Sequence, residues 1–314
     1  MNAYRGLLLA LIVTTCTCLL LLYKTTLVET RAPARTVLSK VHSSSLRSSP
    51  LVLHGYNSII DNQPLRMHCN SCSLVTSSGH LMGGERGGQI DQSDCVIRMN
   101  DAPSQGHERD VGQRTTLRVI AHSSLDHVLR NRQPLLQASP DTVFVFWGPS
   151  ILMSPKGGVY KKLVGIKRAI PKLKVYTISQ AKMAELDTIF KEETGMDRKM
   201  SQSWLSTGWF TMILTIELCD TIEVYGMVSP DFCQQPATTP AVPYHYYGAS
   251  KRIPECAMYL SHERGKHGGH HRFITEKRVY AKWAQTFDIH FHQPDWEPEL
   301  PVQNQSNGTA SRGS

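Results

Sequence analysis

The 314-residue chain lacks most of the short signatures that assign a chemistry at sight. It has no Gly-x-Gly-x-x-Gly turn for a dinucleotide pyrophosphate and no glycine-rich loop ending in Lys-Ser/Thr for a triphosphate. It has no His-Glu-x-x-His pair to offer zinc two imidazoles from one helix face. No internal repeat is visible, which excludes solenoids and propellers. Acidic residues are in deficit, 26 against 34 Lys and Arg, for a formal net charge of +8. That balance suits an acidic partner, whether nucleic acid, a membrane surface or an anionic substrate, and chooses none of them. No recognised nucleic-acid-binding motif accompanies the charge, so a nucleic-acid partner is not expected. Apolar residues at 40% and charged residues at 19% are ordinary for a packed domain.

One long uncharged run is present, from Gly6 to Tyr23, bounded by Arg5 and Lys24. It is slightly shorter than the ~20 residues that usually span a bilayer. No small-x-small cleavage site follows, because Tyr23-Lys24-Thr25-Thr26 is a poor one. Residues 6–23 are therefore read as a retained signal-anchor rather than a cleaved signal peptide, with residues 1–5 as a cytosolic tail and the rest lumenal. Residues 24–50 are rich in Ser, Thr, Arg and Pro and read as a flexible stem, since so few apolar groups cannot offset the entropy of ordering. Residues 51–294 read as globular and residues 295–314 as a disordered polar tail. That tail holds two glycosylation sequons, at Asn304 and Asn307. Six cysteines lie beyond the apolar run: Cys69, Cys72, Cys95, Cys219, Cys233 and Cys256. An even number in an oxidising compartment permits disulfides, with at least one pair expected to remain as buried thiols.

Within the globular part, short apolar runs alternate with helical patterns. Strands are predicted at Ser73–Thr76, Cys95–Met99, Leu117–Ala121, Thr142–Trp147, Lys174–Ile178, Ile222–Tyr225 and Asp288–Phe291. Helices are predicted at Ala181–Glu193, Thr207–Leu218 and Thr275–Thr286. The alternation implies an α/β fold, a mostly parallel sheet with helices on both faces. Ligands of such sheets bind beyond the carboxyl ends of strands, which singles out the turns after Thr76, Met99 and Tyr225.

Three stretches carry candidate chemistry. After the first predicted strand, Ser77-Ser78-Gly79 offers hydroxyls and backbone N–H groups to a phosphate or ribose. The glycine pairs at 83–84 and 87–88 read more simply as loop glycines. Asn100 ends the next strand, where its amide either reads a base or ribose or caps the following turn. In the second stretch, Ser206 or Thr207 caps an apolar helix whose first turn, including Gly208, presents free N–H donors and a positive dipole end to an anion. The third stretch is rich in histidine: His245, His262, His267, His270 and His271. The spacing of His262 to His271 fits no zinc site and no cysteine lies within that part, so no metal is assigned. His271 stands immediately before a strong helical pattern, where a helix N-terminus keeps the imidazole neutral and available as a general base. Glu276, five residues on, is placed to orient either backbone or histidine.

In order, Cys72–Asp110, Ser206–Gly226, His245–Tyr247 and His271–Glu276 resemble the long, short, His-Tyr-Tyr and very short His-x4-Glu motifs of the eukaryotic sialyltransferases. The likeness covers about three quarters of the chain. Ser77-Ser78-Gly79-His80, Cys95 ahead of Arg98-Met99-Asn100, and His271 through Lys277 are most similar to the alpha-N-acetylgalactosaminide alpha-2,6-sialyltransferases, in the subgroup with members three to six.

The resemblance implies a variant GT-A-type glycosyltransferase fold for residues 51–294 and a Golgi membrane location. It implies a Cys72–Cys219 disulfide. It also implies that Ser77, Ser78, Gly79 and Asn100 line a CMP site, with Ser206, Thr207, Gly208 and Glu276 beside them. His245 would stabilise the departing phosphate, and His271 would be the catalytic base. The donor would be CMP-sialic acid, without cofactor, and the acceptor an already sialylated glycoprotein or ganglioside glycan. A CMP-sugar leaves with a single phosphate, and the sequence holds no Asp-x-Asp metal motif, so an inverting, metal-independent displacement is expected. One position departs from the family. An acidic residue usually follows His-Tyr-Tyr, and here Gly248 stands in its place. That departure leaves two alternatives to the main reading: an inactive lectin or scaffold, and a sialyltransferase of another linkage.

Overall fold

The computed structural model describes residues 51–298, apart from residues 132, 138–140, 235–240 and 266–269. The expected anchor, stem, both sequons and His267 lie outside the described residues. Among those described, no helix is long and apolar enough to cross a membrane.

One nine-stranded sheet organises the body: β1 (Val52–Ser58), β2 (Pro64–Arg66), β3 (Cys69–Val75), β4 (Cys95–Met99), β5 (Leu117–Ala121), β6 (Val143–Trp147), β7 (Lys174–Ile178), β8 (Cys219–Tyr225) and β9 (Asp288–His292), in the order β2-β1-β7-β6-β5-β4-β3-β8-β9. From β7 to β9 every pairing is parallel, and β1 and β2 extend one edge in antiparallel fashion. The residue pattern explains the order. β5 and β6 are buried at every position, as interior parallel strands covered on both faces must be. Edge strand β9 alternates, with Ile289 and Phe291 inward and Asp288 and His290 outward.

The five longest described helices are α1 (Gly158–Ala169), α2 (Gln180–Thr194), α3 (Thr207–Leu218), α4 (Glu255–Glu263) and α5 (Phe273–Trp283). Leu163 of α1 joins Ile120, Phe144 and Phe146 in one apolar cluster. On the opposite sheet face, by strand alternation, Trp147 meets Phe210 of α3 with ring centroids 4.3 Å apart. Helices thus cover both faces. α3 packs on β3, β4, β5 and β8, and ten of its twelve residues are buried, which is why its sequence is apolar on every side.

All six cysteines are paired, as Cys69–Cys95, Cys72–Cys219 and Cys233–Cys256. This corrects the expectation of leftover thiols. The first two bridges tie β3 to its neighbours on both sides, β4 and β8. The sulfurs of Cys69, Cys72 and Cys95 lie within 4.8 Å of one another, and their disulfides leave no thiolate for a metal. Beyond β9 the packing continues into residue 296. Trp296 stacks on Phe291 at 3.9 Å and donates from Nε1 to the Met227 carbonyl at 2.6 Å.

Candidate active site

The carboxyl ends of β3, β4, β5, β6 and β8 open into one cavity of about 470 Å³. Thr76–Ser78, Met99–Asn100, His122–Ser124, Trp147 and Gly226–Met227 enter it from the sheet, as the strand-end rule requires. The first turn of α3, the segment Tyr244–His245, and His271 with the start of α5 complete the wall.

The loop after β3 is built by local hydrogen bonds. Ser78 caps a short helical turn by accepting from the His80 N–H at 3.2 Å, and the Thr76 hydroxyl donates to the Gly226 carbonyl at 3.0 Å. Gly226 has φ +81°, and a Cβ there would stand 2.5 Å from the Thr76 hydroxyl, so the two loops meet only across a glycine. Gly79 does not line the cavity. Its N–H donates to the Pro243 carbonyl at 3.0 Å, and a Cβ would lie 2.7 Å from that oxygen. Its part is to let the 243–247 segment approach.

Asn100 adopts φ +47° at the end of β4. Its Oδ1 accepts from the Ala121 N–H at 3.0 Å, and its carbonyl accepts from the buried Arg118 guanidinium at 2.9 Å. The carboxamide therefore bridges β4 to β5 while the residue lines the cavity, rather than capping its own turn.

His245, Tyr246 and Tyr247 dock on the same loops. The Tyr246 N–H donates to the Ser77 carbonyl at 3.0 Å, and the Tyr247 hydroxyl donates to Asp101 at 3.2 Å. The His245 ring stacks between Tyr244, at 4.2 Å, and Tyr247, at 5.2 Å. Burial pushes its pKa down to about 4, so at neutral pH it is an uncharged ring.

At the start of α3, Ser206 is the cap, with its Oγ accepting from the Trp209 N–H at 3.1 Å. Glu276 holds that cap from α5. Its Oε1 accepts from the Ser206 N–H at 2.9 Å, and its Oε2 accepts from the Ser206 hydroxyl. Of the two partners expected for Glu276, the structure gives backbone and not histidine. Burial raises its carboxyl to about 7, with the Ser206 hydroxyl and amide pulling the other way. The arrangement fixes the turn that carries Thr207 and Gly208 to the cavity. Ser206→Ala removes both the cap, worth about 1 kcal/mol, and a hydrogen bond to a buried acid, worth about 1–3 kcal/mol. Denaturant unfolding of that variant should show a combined loss of about 2–4 kcal/mol; a change inside the roughly 0.5 kcal/mol typical of neutral surface substitutions would contradict this role.

His271 stands two residues before α5. Its Nδ1 lies 2.9 Å from the Trp204 carbonyl oxygen, which can only accept, so Nδ1 carries the proton and Nε2 is left with the lone pair. Its backbone N–H donates to His262 Nδ1 at 3.1 Å, and the two rings stack at 5.5 Å. Its pKa is lowered, first by burial and then by His270, against the opposing pull of the Trp204 carbonyl. Neutrality was expected from the helix N-terminus; burial is the larger cause.

Nine residues singled out in the sequence thus meet in one cavity: Ser77, Ser78, Asn100, Ser206, Thr207, Gly208, His245, His271 and Glu276. Sequence reasoning missed His122–Ser124 and Trp147, which follow from the same strand-end rule applied to β5 and β6. It also missed Tyr259, Lys277 and Tyr280. The spacing of Phe273, Glu276, Lys277 and Tyr280 (i, i+3, i+4, i+7) marks one helical face, and that face lines the cavity.

Comparison with known proteins gives this geometry a context. Residues 37–286 match the model of glycosyltransferase family 29 (sialyltransferase). Alpha-N-acetylgalactosaminide alpha-2,6-sialyltransferase 6 of Bos taurus is 46% identical over 246 residues, 78% of this chain and 74% of that protein. The alpha-N-acetyl-neuraminyl-2,3-beta-galactosyl-1,3-N-acetyl-galactosaminide alpha-2,6-sialyltransferase of Homo sapiens is 47% identical over 253 residues, 80% of this chain and 83% of its own. A mammalian sialyltransferase crystal structure superposes with a TM-score of 0.46 at 18% identity, covering 81% of this chain and 84% of that one.

Proposed function

This chain belongs to glycosyltransferase family 29, the sialyltransferases, and from that premise we propose that it transfers sialic acid from CMP-sialic acid to the 6-hydroxyl of N-acetylgalactosamine in an already sialylated glycan. The acceptor is sialyl-α2,3-Gal-β1,3-GalNAc on a protein or a ganglioside headgroup. The names of the relatives, at 46% and 47% identity, support linkage and acceptor. The single observation that carries the mechanism is the Nδ1–H bond from His271 to the Trp204 carbonyl, which makes Nε2 the basic nitrogen of a cavity-lining residue.

In the proposed reaction Nε2 of His271 takes the proton of the acceptor hydroxyl as that oxygen attacks the anomeric carbon of sialic acid. The new C–O bond forms as the bond to the CMP phosphate breaks, and CMP departs with the electron pair. The phosphate is received by the α3 N-terminus at Thr207 and Gly208, whose N–H groups and dipole favour an anion. His245 lies on the same cavity wall, and a neighbouring phosphate shifts its ring toward the charged form, a second hydrogen-bond donor. Ser77, Ser78 and Asn100 hold the cytidine portion. Glu276 positions Ser206 and acts through it.

The protein needs no cofactor and no metal for this step. It works as a Golgi membrane protein, with residues 6–23 as type II anchor, residues 24–50 as stem and the body lumenal. The uncharged run and the sequons at Asn304 and Asn307 support that placement. The test is CMP release from CMP-sialic acid in the presence of EDTA, with sialylated and desialylated Gal-β1,3-GalNAc acceptors. Release that survives EDTA and depends on the sialylated acceptor is the expected result. Loss of activity in EDTA contradicts metal independence, and equal use of both acceptors contradicts the acceptor assignment.

A further inference from the structure

Lys277 has no use in the reaction as written above. It is 6% exposed, lies on the cavity-facing stripe of α5 and is the sole Lys or Arg among the described residues that line the cavity. Its Nζ stands 3.5 Å from the centre of the Tyr259 ring. Among the described residues it has no hydrogen-bond partner. An ammonium carries three donors, and burying one with none satisfied is costly unless an anion completes it.

The nearby carboxylates are committed elsewhere. Glu276 holds Ser206. Glu255 accepts from the Tyr259 hydroxyl at 2.8 Å and faces His80 Nε2 at 3.2 Å. Burial lowers the Lys277 pKa to about 8, against the opposing pull of Glu255 and Glu276, so the group is predominantly charged at neutral pH. Tyr259 supplies a ring face to the cation and no acceptor for its protons.

The anions of the proposed reaction divide cleanly. The donor brings a phosphate and a carboxylate, and a sialylated acceptor brings a second carboxylate. The phosphate is met by the α3 amides and His245, whereas the other cavity polar groups near α5 offer a carboxylate no cation. We propose that Lys277 is the receptor for a sialic acid carboxylate in this cavity, the specificity contact that distinguishes sialic acid from the rest of CMP-sialic acid or from an unsialylated acceptor. The inference rests on the sialyltransfer reading and names the chemistry of one subsite within it.

The experiment compares the full chain, purified in detergent, with Lys277→Met and Lys277→Arg. CMP and CMP-sialic acid binding are measured by calorimetry, and KM is measured for the donor and for sialylated and desialylated acceptors. Losing a charge-assisted hydrogen bond predicts weakening of about 10–100-fold in Lys277→Met, with partial recovery in Lys277→Arg. If the donor arm weakens while CMP binds as in wild type, the carboxylate is the donor's. If KM rises for the sialylated acceptor alone, the carboxylate is the acceptor's. Retained CMP binding also shows that the variant is folded. Equal weakening of CMP and CMP-sialic acid, or no change in any arm, overturns the proposal. Absence of transfer by wild type would instead defeat the sialyltransfer reading, and the CMP against CMP-sialic acid comparison would still judge Lys277.

Discussion

His271→Ala lowers turnover by about 10²–10⁴-fold, the range for removing a positioned general base, while CMP binding and the unfolding midpoint stay near wild type. The size follows from the tautomer. Trp204 fixes the Nδ1 proton through its backbone carbonyl, which no substitution at position 204 removes. Nε2 therefore arrives with its lone pair free and needs no rearrangement before it accepts a proton. The pH dependence has a definite sign. A base works only when neutral, and burial lowers the pKa of His271 below its ordinary value of 6.5. Protonation of His271 should make wild-type kcat/KM fall on the acid side, below pH 6.5, separately from any alkaline limb set by the Lys277 ammonium. The expected stability of the variant follows from the part-exposed position of the ring, whose loss leaves no deep cavity. Unchanged turnover in His271→Ala, or an acid limb above the ordinary histidine value, would sink the assignment.

The second large effect is on stability. Replacing Cys72 and Cys219 together by alanine should cost about 2–5 kcal/mol, toward the upper end because the bridge closes a separation of 147 residues. The double replacement avoids leaving a lone buried thiol. This bridge joins β3, whose end carries Ser77 and Ser78, to β8, whose end carries Gly226. Chemical denaturation gives the loss, and non-reducing peptide mapping of wild type checks its premise. Free thiols at both positions in the wild-type map would remove the bridge from the account.

Gly248 has a structural explanation that does not involve lost catalysis. Its backbone lies at φ +63°, ψ −160°, a region that costs a residue with a side chain about 1–3 kcal/mol. A Cβ there would meet nothing within 4 Å, so the restriction is conformational. The residue is exposed and opens the short helical turn Ala249–Arg252. The loop is organised around a glycine, and an acidic side chain at this position does not fit the backbone as it stands. With His245 and His271 both at the cavity, the departure at Gly248 gives no support to an inactive scaffold.

Most of the parallel sheet was legible in the sequence because interior strands such as Val143–Trp147 are short, wholly apolar and β-branched or aromatic. Strand starts were not. β3 begins at Cys69 and β8 at Cys219, several residues before their apolar runs, because Asn70, Ser71, Asp220 and Thr221 mask the period. There the backbone pairing of Cys69 with Cys219 and the bridges to Cys95 and Cys219 hold polar residues in the ladder. The antiparallel edge was also hidden. β1 carries Gly55 at φ +86° and an irregular register with β2, which begins with Pro64, so neither strand shows clean alternation. In the site, hydroxyl and imidazole residues in short motifs were readable as chemistry. Gly79 was readable as special but misassigned, since the need for backbone approach by Pro243 appears only in three dimensions. Lys277 was hidden because a lysine on a helix is ordinarily a solvated residue, and its burial depends on how α5 packs beside α4.

The most direct test of the central claim is the linkage of the product. The purified chain is given CMP-sialic acid and a sialyl-α2,3-Gal-β1,3-GalNAc acceptor, and the product is read by mass spectrometry before and after linkage-specific sialidase. A disialylated product, with a new α2,6 bond to N-acetylgalactosamine that resists an α2,3-specific sialidase, is the predicted result. A product whose added sialic acid sits on galactose or on the existing sialic acid, or no product at all while CMP still binds, would contradict it.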